Sequence, residues 1–237
     1  MSNARSSRKP PANPLLDHKP RRFSAGVVVV IVLVLALAAG VGVQYWRSHS
    51  AVSVDTGGAP EPALITGPGT DGQGVTVGKE GARAHIDLYL DYRCPHCKDF
   101  EDETGPTINE LVDNGTATVT YEPLAFVNPE ASPRLANAFA CAAAAGKPRS
   151  YGDHLFAGFE KSWTTAQLLE LGKKLGIDDP TFEQCVNNNA QAKWLDSIAK
   201  AADARGVTGT PTVFVNDKML QADQLTPDGI KAAVSAS

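Results

Sequence analysis

Two cysteines separated by two residues, Cys94 and Cys97, lie within the stretch LYLDYRCPHCKDFE at residues 88–101, with Pro95 and His96 between them. Three chemistries use such a pair: metal ligation, a static bridge, or a reversible dithiol–disulfide couple. The flanks discriminate among them. An apolar strand pattern precedes the pair and a helical pattern follows, so Cys94 falls at a helix N-terminus, where unpaired N–H groups and the helix dipole favour negative charge. Cysteines so placed can have pKa values of about 3.5 to 7.5, against about 8.5 for an ordinary thiol. The thiolate is the attacking species, and a low-pKa thiolate is a good leaving group. Cys97 lies one turn deeper, within reach to close a disulfide or to resolve a mixed one. His96 sets an imidazole beside Cys94, and its positive form would stabilise the thiolate further. That stabilises the reduced state and makes the disulfide a stronger oxidant. Structural zinc usually needs four ligands, commonly from two such pairs. No second pair exists, because Cys141 and Cys185 have no close cysteine or histidine partners. The redox reading is preferred. A metal-delivery or binding module that uses the same cysteines as ligands is the alternative from a different class.

The elements that must hold this pair can be read along the chain. AHIDLYL, residues 84–90, alternates with Ile86, Leu88 and Leu90 on one face and predicts a strand. A helix is predicted from Cys94 to about Asp113, kinked at Pro106 and closed by Gly115. ATVTYEPLAFV, residues 117–127, predicts a second strand. A block of helices follows. The first has Ser132 as N-cap and Pro133 at its first position and stops at Gly146. The next carries Leu168, Leu169, Leu171 and Leu175 and ends at Gly176. Another opens at Asp179-Pro180, and the last spans about 190–204 before Arg205-Gly206. TPTVFVND then gives a strand and turn, KML a short return strand, and Thr226 caps a final helix. The order of strand, helix, strand, helical block, hairpin and helix is the thioredoxin arrangement with a helical subdomain inserted at about 131–204.

CPHCKDFE together with GTPTVFVNDK, residues 209–218, resembles the DsbA family of thiol:disulfide oxidoreductases over residues 75–237. The resemblance implies an α/β thioredoxin fold and an enzyme that passes its Cys94–Cys97 disulfide to reduced or unfolded exported proteins. It also implies reoxidation by a membrane quinone-linked enzyme of the DsbB or VKOR type. Pro211 matches the family's cis-proline facing the redox pair. The backbone of Thr210 would then pair with an extended substrate chain. Glu101 matches the family's acidic residue under the pair, four residues beyond Cys97, where it could help move the proton of Cys97. A solvated acid, like its neighbours Asp99, Asp102 and Glu103, is the competing reading. Phe100 is expected to pack in the core. The opposite direction, a reductase or isomerase, is the alternative within the enzyme class. No cofactor is expected, and the chain is expected to be a monomer.

Other residues invite plainer roles. Cys141 and Cys185 both fall in predicted helices of the insertion and are expected to form a structural disulfide; a second redox pair or buried free thiols are the alternatives. Trp163 and Trp194 are expected to pack internally, and His154 to sit at the surface or in packing. His85 and Asp87 lie on the first strand and are expected at its end or at the surface, with a catalytic role as the alternative.

Charge and hydropathy describe the remainder. The formal net charge is −4, yet residues 1–46 carry six basic side chains and one acid, which leaves 16 basic against 25 acidic beyond Trp46. So acidic a main domain argues against a nucleic-acid partner. Residues 23–43, FSAGVVVVIVLVLALAAGVGV, carry no charge and as a helix would span roughly 30 Å, a bilayer's hydrocarbon thickness. Tyr45 and Trp46 follow as interfacial aromatics do. The expectation is a retained single transmembrane helix, with the basic segment 1–22 cytoplasmic, 44–74 a flexible tether, and the domain 75–237 outside the cell membrane. A cleaved signal peptide ending at Ala36-Leu37-Ala38 is the alternative. This anchored arrangement resembles membrane-tethered bacterial relatives of the family. An extracytoplasmic compartment also permits disulfides.

Overall fold

The alternating stretch at 84–90 becomes the strand around which a mixed sheet assembles. The computed structural model describes residues 60–236. The expected cytoplasmic segment, the apolar span 23–43 and the tether as far as residue 59 lie outside the described residues. Among the described residues no helix is long and apolar enough to cross a membrane.

Six strands form the sheet: β1 (Leu64–Thr66), β2 (Val75–Val77), β3 (Ala84–Leu90), β4 (Ala117–Pro123), β5 (Thr212–Val215) and β6 (Lys218–Met219). Their order is β1-β2-β4-β3-β5-β6. Helix α1 (Pro95–Asp113) carries the chain from β3 to the parallel strand β4, while β5 runs antiparallel to β3 on its other side. A helix is the usual crossover between parallel neighbours. It runs unbroken through Pro106. Ile86, Leu88 and Leu90 are at most 2% exposed, so one face of β3 is fully in the core.

The other face of β3 differs from the expectation. Asp87 is buried, not at the surface, and its carboxylate lies 2.7 Å from the Arg205 guanidinium. Arg205 in turn lies 4.0 Å above the Phe214 ring and reaches Asp217 at 2.7 Å. A carboxylate leaves water at such a position only with a partner of this kind. His85, at the strand's start, bonds Thr118 through Nδ1 at 2.7 Å and Asp87 through Nε2 at 2.9 Å.

Five helices fill the gap between β4 and β5: α2 (Ala131–Ala144), α3 (Pro148–Ala157), α4 (Thr165–Lys174), α5 (Pro180–Asn187) and α6 (Ala192–Ala204). Helix α7 (Pro227–Ser235) ends the fold, with the Thr226 hydroxyl accepting from the Gly229 N–H at 3.2 Å. Cys141 of α2 and Cys185 of α5 form a disulfide, S–S 2.04 Å, that ties two helices of the insertion together. Trp163 and Trp194 are buried.

Three local departures have physical causes. Strand β4 stops at Pro123 instead of continuing to Val127, because Phe126 and Val127 direct their N–H groups to the Asp91 carboxylate. Helix α2 starts two residues early, at Ala131 instead of Pro133. Asn128, not Ser132, accepts from the N–H groups of Glu130 and Ala131, at 3.1 and 2.8 Å, and the Ser132 hydroxyl turns inward. Within the expected tether, β1 adds to the sheet, and the Glu61 carboxylate accepts from the N–H groups of Arg149 and Ser150 at 3.1 and 2.9 Å. Glu61 thereby caps α3, whose own N-cap residue Lys147 makes no side-chain cap.

Candidate active site

Cys94 is the N-cap of α1, with extended backbone and a side chain left free of capping duty, and Pro95 follows at the first helical turn. The Cys94 N–H donates to the Asp91 carbonyl at 2.9 Å, and its carbonyl accepts from Lys98 at 3.1 Å. The sulfur thus sits at the helix end with the helix amides behind it. Both cysteines are free thiols. The Cys94 thiol donates to the Thr210 carbonyl at 3.3 Å. The Thr210–Pro211 bond is cis, and both residues are part-exposed beside the sulfur.

The two thiols are unequal. Cys94 keeps 6% of its surface and Cys97 none. Burial pushes the Cys97 thiol well up, while the hydrogen bond from the Asp91 N–H pulls the other way without cancelling it. Cys94 retains a small accessible surface at the helix end, next to the Thr210 carbonyl. It is more enclosed than a freely exposed helix-capping cysteine, because the Thr210 carbonyl covers one side of its sulfur. Pro95 and His96 are exposed on the same helix end.

Glu101 lies four residues beyond Cys97. Burial of its carboxyl, with smaller contributions from Asp153 and Asp102, raises it to about 8. Its neighbours Asp99, Asp102 and Glu103 are exposed, whereas Glu101 is half-buried and lines a cavity. A cavity of about 190 Å³ beside it is lined by Glu101, Asp102, Gly105, Pro106 and Asp153. A carboxyl that carries its proton near neutral pH, one turn below a buried thiol, is equipped to exchange that proton with solvent. Phe100 packs in the core.

Sequence reasoning missed Asp91. It is fully buried, yet its carboxylate accepts four hydrogen bonds. Oδ1 takes the Arg93 N–H and the Ser132 hydroxyl, both at 2.8 Å, and Oδ2 takes the Phe126 and Val127 N–H groups, both at 3.0 Å. Its own N–H points at the Cys97 sulfur at 3.5 Å. The signal available in the sequence was an acid at the end of an apolar strand, three residues before Cys94, where burial on both sides demands donors. Arg93 adds a second tie to the insertion by donating to the Phe159 carbonyl and stacking 5.0 Å over the Phe159 ring.

His154 sits in α3 with Nδ1 at 2.7 Å from the Ser150 carbonyl, away from the pair. Among the described residues no group of three or more histidine, cysteine or acidic side chains is placed to hold a metal ion.

A family model described as thioredoxin matches residues 70–236. The chain belongs to the thioredoxin family. Within this family it is similar to the disulfide bond formation protein D of Bacillus subtilis, 27% identical over 163 residues that cover 65% of this chain and 72% of that protein. It is 25% identical to the thiol:disulfide interchange protein DsbA of Yersinia pestis over 56% of this chain and 65% of that one. Among solved thioredoxin-family structures, the reduced disulfide bond oxidoreductase DsbG of Mycobacterium tuberculosis superimposes with a TM-score of 0.54 and 29% identity, covering 68% of this chain and 82% of that one. This thioredoxin-family chain is an enzyme, a thiol:disulfide oxidoreductase of the DsbA type.

Proposed function

We propose that the enzyme works outside the cytoplasm, held to the membrane by residues 23–43, and donates its Cys94–Cys97 disulfide to reduced exported proteins. The observation that carries the exchange chemistry is the asymmetry of the pair: Cys94 caps the helix and keeps a little accessible surface, Cys97 is wholly enclosed. The Cys141–Cys185 disulfide supports the compartment, because structural disulfides persist where the surroundings are oxidising.

The reaction begins with the oxidised enzyme. A substrate thiolate attacks Cys94 Sγ, the Cys94–Cys97 bond breaks, and its electron pair leaves on Cys97. The deeply buried Cys97 thiolate takes up a proton, and Glu101, four residues further along α1 with its carboxyl raised to about 8, is assigned to pass it. A second substrate thiolate then attacks the substrate sulfur of the mixed disulfide and expels Cys94 as a thiolate at the helix N-terminus. The substrate has lost two electrons and the enzyme has gained them. Of the two protons shed by the substrate thiols, one ends on Cys97 and the other passes to solvent while Cys94 leaves as a thiolate. Thr210 and Pro211 form the wall beside which an extended substrate would lie. Reoxidation of the dithiol falls to a membrane quinone-linked enzyme of the DsbB or VKOR type.

The reduction potential of the pair, equilibrated against glutathione, tests the direction. A value near or above about −180 mV supports donation, and one near −270 mV would assign the enzyme to reduction. Intact-mass analysis of protein purified from membranes tests the anchor. A mature chain that starts near Ala39 would replace it with a cleaved signal peptide.

A further inference from the structure

We propose that Asp91 is a positioning residue for the exchange reaction: its carboxylate fixes the peptide whose N–H receives the Cys97 sulfur when that sulfur carries the leaving electron pair. This rests on the assignment of Cys94 as the attacked sulfur and Cys97 as the sulfur that departs.

Cys97 has no exposed surface, so no water can solvate its thiolate as the Cys94–Cys97 bond breaks. The Asp91 N–H, 3.5 Å from Sγ, is a donor already aimed at it. A backbone donor serves this purpose only if its peptide cannot swing away, since a fixed dipole pays no reorganisation as the charge forms. The Asp91 side chain supplies that rigidity. Its four donors come from three separate segments: Arg93 in the turn entering α1, Phe126 and Val127 in the loop after β4, and Ser132 in the first turn of α2. The Asp91 carbonyl also accepts from the Cys94 N–H at 2.9 Å. One residue therefore registers the helix end bearing Cys94, the leaving sulfur of Cys97 and the entry to the helical insertion. A neutral residue cannot replace it. A carboxylate accepts at both oxygens, whereas a carboxamide presents an NH2 to one pair of donors and must repel them. The same N–H stabilises Cys97 in the reverse step, when Cys97 attacks a mixed disulfide on Cys94, so the role holds for either direction of electron flow.

The test compares wild type with Asp91→Asn and Ser132→Ala. Reduction of the oxidised enzyme by a model peptide bearing two cysteines is followed by acid quench and mass analysis. The rate of mixed-disulfide formation should fall about tenfold in Asp91→Asn, the scale of one lost hydrogen bond to a charged group, and two- to threefold in Ser132→Ala, on the order of a weakened one. In a Cys97→Ala background the pH profile of Cys94 alkylation should be the same with Asp or Asn at position 91, which a general loosening of the site would not allow. The backbone amide resonance of residue 91 should move between oxidised and reduced wild type and move less in Asp91→Asn. An unchanged exchange rate in folded Asp91→Asn overturns the proposal, as does slowing accompanied by a shifted Cys94 profile. If Asp91→Asn does not fold, Ser132→Ala decides, and a wild-type rate there overturns it. Failure of the underlying assignment would look different, with Cys97 alkylated faster than Cys94 in the wild-type enzyme.

Discussion

Glu101 and Asp153 approach one cavity from two sides, Glu101 from α1 in the thioredoxin half and Asp153 from α3 in the insertion. Burial and the nearby acid together raise Glu101 to about 8, and burial likewise raises Glu122 of β4 to about 8. Both groups have folded values above their ordinary carboxylate range, so the folded state holds protons that the unfolded chain releases. Their contribution to stability is complete below about pH 4.5 and is lost as the pH rises through about 8. The Tm should therefore fall by several degrees between pH 5 and pH 8, and Glu101→Gln should flatten that slope by raising the value at pH 8. A Glu101→Gln variant whose Tm falls as steeply as wild type would contradict the assignment. If Glu101 passes the Cys97 proton, the same variant should also slow mixed-disulfide formation at neutral pH.

The Cys141–Cys185 bridge closes a separation of 44 residues between α2 and α5, far from the reactive pair along the chain. In the chain-entropy account, a loop of this size stabilises the fold by about 4 kcal/mol. Replacing both cysteines by alanine should lower the Tm markedly while leaving the thiol-exchange rate near wild type. Loss of turnover in a double variant that still shows native near-UV dichroism would mean that this pair takes part in electron transfer.

Glu61 reaches α3 from 88 residues earlier in the chain and accepts from the Arg149 and Ser150 N–H groups. Loss of a helix cap costs about 1–2 kcal/mol. Glu61→Ala should lower stability by roughly that amount, and Glu61→Gln by less, because the amide oxygen still accepts. A protein beginning at Val75 should lose more, since β1 goes with the cap. Urea unfolding of the three proteins measures the series, and equal midpoints would refute the capping role.

The same residue explains what could be read from the sequence and what could not. Strand β3, helix α1 and the Cys94–Cys97 pair were legible because alternation, a CxxC at a helix start and a closing glycine are all local signals. Helix α6 and the hairpin were legible for similar reasons, the hairpin through Asn216 and Asp217, which turn with positive φ. Helix α3 escaped notice because its cap is supplied by Glu61 across the fold and Lys147 offers none. The short strands β1 and β2, three residues each, carry too few positions for a period to show. Asp91 was invisible for another reason. A single acid beside an apolar strand reads as a solvated strand end until its four donors are seen to arrive from segments distant in sequence. Asp87 was misjudged the same way, since its partner Arg205 lies 118 residues further along.

The difference between Cys94 and Cys97 yields the most direct prediction. Cys94 retains 6% of its surface at the helix end, whereas Cys97 is fully enclosed and its thiol is pushed upward by burial. With Cys97 changed to alanine, Cys94 should still capture substrate, but no internal thiol remains to release it, so mixed disulfides should accumulate. With Cys94 changed to alanine, few adducts should form, because the remaining thiol is both hidden and protonated at neutral pH. Alkylation of the two single-cysteine variants by iodoacetamide, followed from about pH 3 to 9, reports each thiolate separately. Cys97, fully enclosed and with its thiol pushed up by burial, should lag Cys94 by at least about tenfold at pH 7, the factor that a single unit of upward pKa shift already produces. Faster reaction of Cys97 at acidic pH would reverse the assignment of attacked and leaving sulfur.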